Sequence, residues 1–308
     1  MLDLPRLQAL RAVAVFGTVT AAAGALHCTP SAISQHLAKL ERETGSTLVE
    51  KDGRRLRLTE AGRVLVEHAG RILAVVEEAE AALAAHRETV SGHLSIASFP
   101  TACRGLLPHA LRSLAVDHPL LEPTLQEGDR ESSFDGILRG TVDVALIDEW
   151  LDMPATYPTG VASVELGLDV GDLILPVDHP LAGSSGPVGL DALRGERWIA
   201  SKPGTVCHEW LQRMLPGARP TILVNEFETQ LTFVAERLGV AFIPRLARST
   251  LPPGVVARPI TPEAARRVSV AWRVAAGGRP AISATVAALR DAWSHRDHWP
   301  ADHGIHVV

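Results

Sequence analysis

The stretch Thr29-Pro30-Ser31-Ala32-Ile33-Ser34-Gln35-His36-Leu37-Ala38-Lys39-Leu40-Glu41 decides how the first part of this 308-residue chain is read. Thr29 is a capping residue followed by Pro30 at a first-turn position, a strong helix start. Ile33, Leu37 and Leu40 share one face, and Ser31, Ser34, Gln35, Ala38 and Lys39 share the other. Small polar side chains and a glutamine on an exposed helical face suit the edges of base pairs in a major groove. Gly45 falls where a left-handed residue ends a helix.

Working outward, Leu4, Leu7, Leu10 and Val13 recur every three residues and predict an opening amphipathic helix. Thr20 is read as the cap of a second helix, Ala21–His27. After Gly45, residues 48–58 predict two short strands around an Asp52-Gly53 turn. That hairpin carries Lys51, Arg54, Arg55 and Arg57 against Asp52, a basic patch of the kind phosphate contact requires.

Net charge alone would mislead. The chain carries 30 Lys+Arg and 35 Asp+Glu, a formal −5. Residues 1–90 are neutral, so the acidity belongs to the remainder. From Glu60 to about His86 no proline occurs, and Leu65, Ala69, Ile72, Val76, Ala79 and Leu83 advance in alternating three- and four-residue steps. This is a coiled-coil seam. A helix of roughly 25 residues reaches about 38 Å, too far for a small domain to cover, so dimerisation is expected.

From Ser91-Gly92 onward, short β-branched runs alternate with helical stretches, the α/β texture. Strands are predicted at Leu94–Ser98, Leu121–Gln126, Val142–Ile147, Asp172–Val177, Trp198–Ala200, Thr221–Val224, Val240–Ile243 and Val268–Val274. Helices are predicted over 102–116, 205–215, 228–238 and 281–294, with loops over 153–160, 183–189 and 252–262. The last dozen residues, with His298, His303 and His306, read as a frayed tail.

Cys28, Cys103 and Cys207 are too scattered for a disulfide framework or a metal site. No signal peptide and no membrane-length apolar run are visible, so a cytoplasmic protein is expected. No GxSxG, HExxH, P-loop or GxGxxG pattern occurs, which argues against the common enzyme classes, and no cofactor is expected.

The run Gly17-Thr18-Val19-Thr20, Ala22-Ala23, Leu26, then Thr29 through Glu41, then Gly45 and Leu48, and on through Leu58-Thr59 and Gly62, resembles the LysR-type signature almost position for position. Two departures are Val49, usually Phe, and Lys51, usually Arg. The resemblance implies an α+β multidomain chain. It comprises a winged helix-turn-helix over 1–59, a linker helix over 60–90, and a periplasmic-binding-protein-like (type 2) domain over 91–300, ahead of a disordered tail at 301–308. That last domain would have two subdomains, about 92–160 with 265–295, and about 166–258. Gly140 to Ile147, Val177 to Ala182 and Gly239 to Pro244 match further family runs.

Carried across, the resemblance implies a sequence-specific DNA-binding regulator controlled by a small molecule. Thr29, Pro30, Ser31, Ser34, Gln35 and Lys39 would face DNA, with Lys51, Arg54, Arg55 and Arg57 on phosphate or in the minor groove. An effector would lie between two facing junctions, contacting Ser98, Pro100 and Thr101 on one side and Gly204, Thr205 and Phe227 on the other. Helix N-termini there favour an anionic or carbonyl group. The implied partners are double-stranded promoter DNA, further copies as dimer or tetramer, and RNA polymerase. The alternative is a thiol-based redox sensor, since Cys207 sits close to the reactive position of oxidant-sensing members. The downstream partner cysteine of those sensors is missing from Gln212 to Pro216, which leaves Cys103 as the one conceivable partner.

Overall fold

The computed structural model describes residues 2–26, 28–53, 55–85, 90–248 and 250–296. The wing residue Arg54, the tail 301–308 and its histidines lie outside the described residues.

Three helices, α1 (Leu4–Phe16), α2 (Val19–Ala25) and α3 (Pro30–Thr44), pack around Leu7, Leu10, Val13, Ile33, Leu37 and Leu40. Thr18, not Thr20, caps α2: its side chain accepts from the Ala21 amide. Gly17 turns the chain in the left-handed region at φ 70°, and Thr18, two residues before the expected cap, takes the extended capping conformation. Strands β1 (Val49–Asp52) and β2 (Arg55–Leu58) form the wing, pairing Val49 with Leu58 and Asp52 with Arg55.

Helix α4 (Glu60–Ala85) leaves the wing with Gly62 against the Leu48 carbonyl. A Cβ on Gly62 would stand 2.1 Å from that oxygen, so only glycine allows the approach. The predicted seam divides in two. Leu65 and Ala69 pack into the winged domain's own core, whereas Ile72 and Leu83 of the seam are exposed, as is Val75 beside the seam position Val76.

The α/β part is built on a mixed sheet in the order β10-β6-β13-β5-β3-β4. Its strands are β3 (Gly92–Ser98), β4 (Leu121–Glu127), β5 (Val144–Trp150), β6 (Val161–Pro176), β10 (Ala241–Pro244) and β13 (Ala264–Arg273). β3 runs parallel to β4 and β5; β13 runs antiparallel to β5 and β6. Alternation buries both faces. Leu94, Ile96, Val144 and Leu146 face α6 (Leu107–Asp117) and α10 (Pro280–Ser294), and Ala97, Ala145 and Ile147 face α7 (Arg130–Arg139).

The 16-residue β6 is the spine shared by two subdomains. Its first part pairs with β13; its end lies against β10 and against β11 (Val255–Arg258). There Leu173 and Leu175 enter one core with Trp198 and Trp210, while Ile174 enters another with Ile199 and Leu231. Strands β7 (Val188–Gly189), β8 (Ile199–Ala200), β9 (Ile222–Leu223) and β12 (Ile260–Thr261) complete the second subdomain with α8 (Val206–Met214) and α9 (Phe227–Ala235).

Further expectations need correction, and the loop expected over 183–189 ends in β7. The segment 252–262 holds β11 and β12 rather than only loop. Asp172–Val177 is the end of a much longer strand, since Val161–Val170 is held by pairing with β13. The helix expected over 102–116 is two helices, α5 (Pro100–Gly105) and α6, broken at Leu106, because Pro108 cannot continue a regular helical turn.

Candidate functional site

The first candidate surface is the exposed face of α3. Thr29 is its N-cap, with the hydroxyl accepting from the Ala32 amide at 3.2 Å. Thr29, Pro30, Ser31, Ser34, Gln35 and Lys39 are all exposed, on the side away from Ile33, Leu37 and Leu40. The Ser34 hydroxyl donates to the Pro30 carbonyl at 3.1 Å, which fixes its rotamer and leaves its lone pairs outward. Lys51, Arg55 and Arg57 are exposed on the wing. Arg57 is tied to Glu50 across the hairpin at 2.5 Å, so among the described wing residues Lys51 and Arg55 are the less compensated cations.

The second candidate lies where α5 of the first subdomain and α8 of the second approach the β6–β13 spine. Thr101, on α5, is 4% exposed and its hydroxyl accepts from Arg266 Nη2 at 2.6 Å. Arg266, on β13, is 2% exposed; its Nε and Nη2 donate to Asp169 and its Nη1 donates to Asp148. Burial opposes the guanidinium charge, yet the Asp169 and Asp148 carboxylates outweigh that and hold its pKa above the ordinary value. One buried cation is therefore met by two carboxylates.

Cys207, on the first turn of α8, is close enough to Arg266, Asp148 and Asp169 to feel all three charges. Burial, reinforced by the two aspartates, pushes its thiol up to about 11. Trp150, at the end of β5, turns its indole toward the same sulfur and stacks on Trp210 with ring centroids 4.3 Å apart. Among the described residues its buried N–H makes no well-formed hydrogen bond, and the Cys207 sulfur is the group it approaches.

Other predicted effector residues have different placements. Ser98 is fully buried, and its carbonyl accepts from the Gly128 amide. Pro100 is the exposed first residue of α5, and Gly204 is an exposed turn residue. Thr205 caps α8: its hydroxyl accepts from the His208 amide and donates to the Lys202 carbonyl. Phe227 packs against the Ile174–Ile199–Leu231 core. Cys103 packs on the first subdomain's core and hydrogen-bonds Ser98, whereas Cys207 packs on the Trp150–Trp210 core of the second. The two thiols thus serve separate cores.

The edges of the subdomains meet closely. Gly105 of α5 lies under Leu246 of the turn Arg245–Ala247, where a Cβ would come within 2.4 Å of the carbonyl oxygen. Arg104 spans the same seam, donating to Glu228 at 3.0 Å and to the Ala247 carbonyl at 3.2 Å. Arg266, Asp148, Asp169 and Trp150 did not stand out in the sequence. The available signal was the Arg266-Arg267 pair opening an otherwise apolar strand: a period of two sends one arginine to each face, so one must enter the interior.

Residues 87–294 match the model of the LysR substrate binding domain, and residues 4–63 match that of the bacterial regulatory helix-turn-helix protein, lysR family. The chain belongs to the LysR family of DNA-binding transcriptional regulators. It is 29% identical over 306 residues to a probable hydrogen peroxide-inducible genes activator of Streptomyces viridosporus, covering 94% of each chain. It is 26% identical over 276 residues to the uncharacterized HTH-type transcriptional regulator YvbU of Bacillus subtilis, covering 88% of this chain and 91% of the other. Among solved structures, full-length OxyR from Pseudomonas aeruginosa superposes with a TM-score of 0.76 at 22% identity, over 94% of this chain and 95% of that one. As a LysR regulator the chain pairs its helix-turn-helix with an effector-binding domain. Among the described residues, no single helix is long and apolar enough to cross a membrane, and no group of three metal-ligating side chains occurs.

Proposed function

We propose that this LysR regulator binds promoter DNA through the exposed face of α3 and its wing, and that a small molecule held between α5 and α8 controls that binding. The observation that carries the DNA half is the joint exposure of Ser31, Ser34, Gln35 and Lys39 on a helix whose other face is core. In this reading Thr29, Pro30, Ser31, Ser34, Gln35 and Lys39 contact the major groove, and Lys51, Arg54, Arg55 and Arg57 contact phosphate or the minor groove. The protein acts in the cytoplasm as a dimer or tetramer and changes recruitment of RNA polymerase. Thr101, beside the Arg266 cluster, is the central effector contact, with Ser98, Pro100, Gly204, Thr205 and Phe227 around it.

The test is the double variant Ser34→Ala with Gln35→Ala. It should abolish specific retardation of DNA selected from a random pool by the full-length protein, without loss of helix by circular dichroism. Retained sequence preference would remove α3 from the recognition role.

A second reading, thiol-based sensing at Cys207, is favoured by the nearness of Arg266 and by the similarity to probable hydrogen peroxide-inducible genes activators. The raised thiol pKa opposes it, because the thiolate is the reactive form.

A further inference from the structure

Helix α7 touches both functional regions. Its N-terminus follows β4, whose last turn is bound to the α5 junction: the Gly128 amide donates to the Ser98 carbonyl at 3.0 Å. Asp129 is the N-cap, accepting from the Ser132 amide at 2.7 Å, and those backbone hydrogen bonds hold its carboxyl below the usual range. The body of the helix packs against the sheet through Phe134 and Ile137, and Gly136 leaves no room for a Cβ against Val142. Ten residues carry it about 15 Å.

The other end meets the DNA-binding side of the molecule. Gly140 closes α7 in the left-handed region at φ 76°. The Leu138 carbonyl, one of the groups a helix leaves unsatisfied there, accepts from Arg11 Nη2 of α1 at 2.5 Å. The Ile137 carbonyl lies 3.4 Å from Arg273 Nη1, and Arg273 ends the strand that leads into the turn Val274–Ala276, which packs against the linker helix α4. A cation at a helix C-terminus is favoured by the aligned peptide dipoles as well as by the hydrogen bond.

We propose that α7 is the rigid connection between the effector junction and the DNA-binding domain, with Arg11 as the residue that engages it. The proposal rests on the DNA-binding reading above and adds the route of control. A shift of α7 at Asp129 moves its last carbonyls, and Arg11 carries that movement into α1, against which the recognition helix α3 packs. Arg11 is a positioning residue, acting on α3 through α1.

A double-mutant cycle tests this without knowledge of the effector. Asp129→Ala loosens the cap, and Arg11→Met removes the donor while keeping an apolar stem. Operator affinity is measured for the wild type, both single variants and the double variant, using the selected duplex. Hydrogen exchange of α1 amides is followed in parallel on the DNA-free protein. Asp129→Ala should change operator affinity about fivefold in the wild-type background, and the same change should fall below twofold in the Arg11→Met background. Exchange in α1 should follow the same pattern.

Additive effects, with Asp129→Ala equally strong in both backgrounds, overturn the proposal, as does an Asp129→Ala protein unchanged in both readouts. A direct DNA contact by Arg11 would be additive and so would count against the relay. Should Asp129→Ala prevent folding, Asp129→Gly removes the same capping oxygen at a smaller cost to the helix and serves in its place. If no duplex is selected, the DNA-binding reading fails while the exchange experiment still decides the coupling.

Discussion

Arg266 and Asp169 form a wholly enclosed ion pair, with Nε and Nη2 of the arginine donating to one carboxylate oxygen at 2.9 and 2.8 Å. Asp148 and Thr101 take two further donors of the same guanidinium, so the group ties β5, β6, β13 and α5 at one point. Removing one partner of such a cluster leaves buried charge unanswered, which costs about 3–5 kcal/mol. Arg266→Ala should therefore lower the stability of the α/β domain by about that amount. All six tryptophans lie at position 150 or beyond, so urea unfolding followed by tryptophan fluorescence reads this domain selectively. A loss below about 1 kcal/mol would show that the cluster is not sealed as described.

Cys207 should titrate near 11, seen as thiolate absorbance near 240 nm in a variant carrying Cys28→Ser and Cys103→Ser. The folded value is raised above the ordinary 9.0, so the folded state holds its proton longer than the unfolded one. The thiol's contribution to stability is thus complete below about pH 9 and is lost as pH rises toward 11. Replacing Cys207 by Ala should flatten that alkaline loss. A midpoint below 8 would revive the thiolate-sensing reading.

The exposed half of α4 makes a separate prediction. Val75 is 63% exposed and Leu83 66% exposed on a helix whose first turns are already packed. Val75→Lys with Leu83→Lys should reduce the assembly by at least one association step in sedimentation or light scattering, with the winged domain still folded. An unchanged mass would assign self-association to another surface.

On the wing, Arg55→Gln should reduce the slope of log affinity against log salt by about one, the signature of one phosphate contact. Arg57→Gln should reduce it less, because Glu50 already holds that charge. Equal slopes for both variants would mean that the Glu50 pair dissolves on DNA.

The N-terminal third was legible because its signals are local. Thr29-Pro30 starts α3, Gly45 ends it, and Gly53 turns the wing just after Asp52, which closes β1 against Arg55 where the sequence had put it in the turn. The linker was legible in its length and only partly in its packing, since spacing alone cannot tell Ala69, buried under the winged core, from Leu83, which is exposed. The first part of β6 was lost because Val161 to Val170 carries alternating exposure and Gly167, and becomes a strand only by pairing with β13 about a hundred residues later. The Arg266 cluster was lost for the same reason: its partners at 101, 148 and 169 come together only after the sheet has formed. Thr101 was singled out through its junction and lies on Arg266, while Thr205 also caps α8 and Phe227 also packs in the second subdomain.

The contact of Gly105 with the Leu246 carbonyl bears on the kinetics of control. With backbone pressed to backbone and Arg104 bonded across the seam, a molecule approaching the Arg266 cluster from this edge must wait for the two subdomains to part. Its observed rate of entry would then rise with concentration only until it reached the rate of parting, and level off there. The same closure would delay its escape. With an effector seated at that cluster, such a seam would make the regulator integrate its signal over time instead of following each fluctuation in its surroundings.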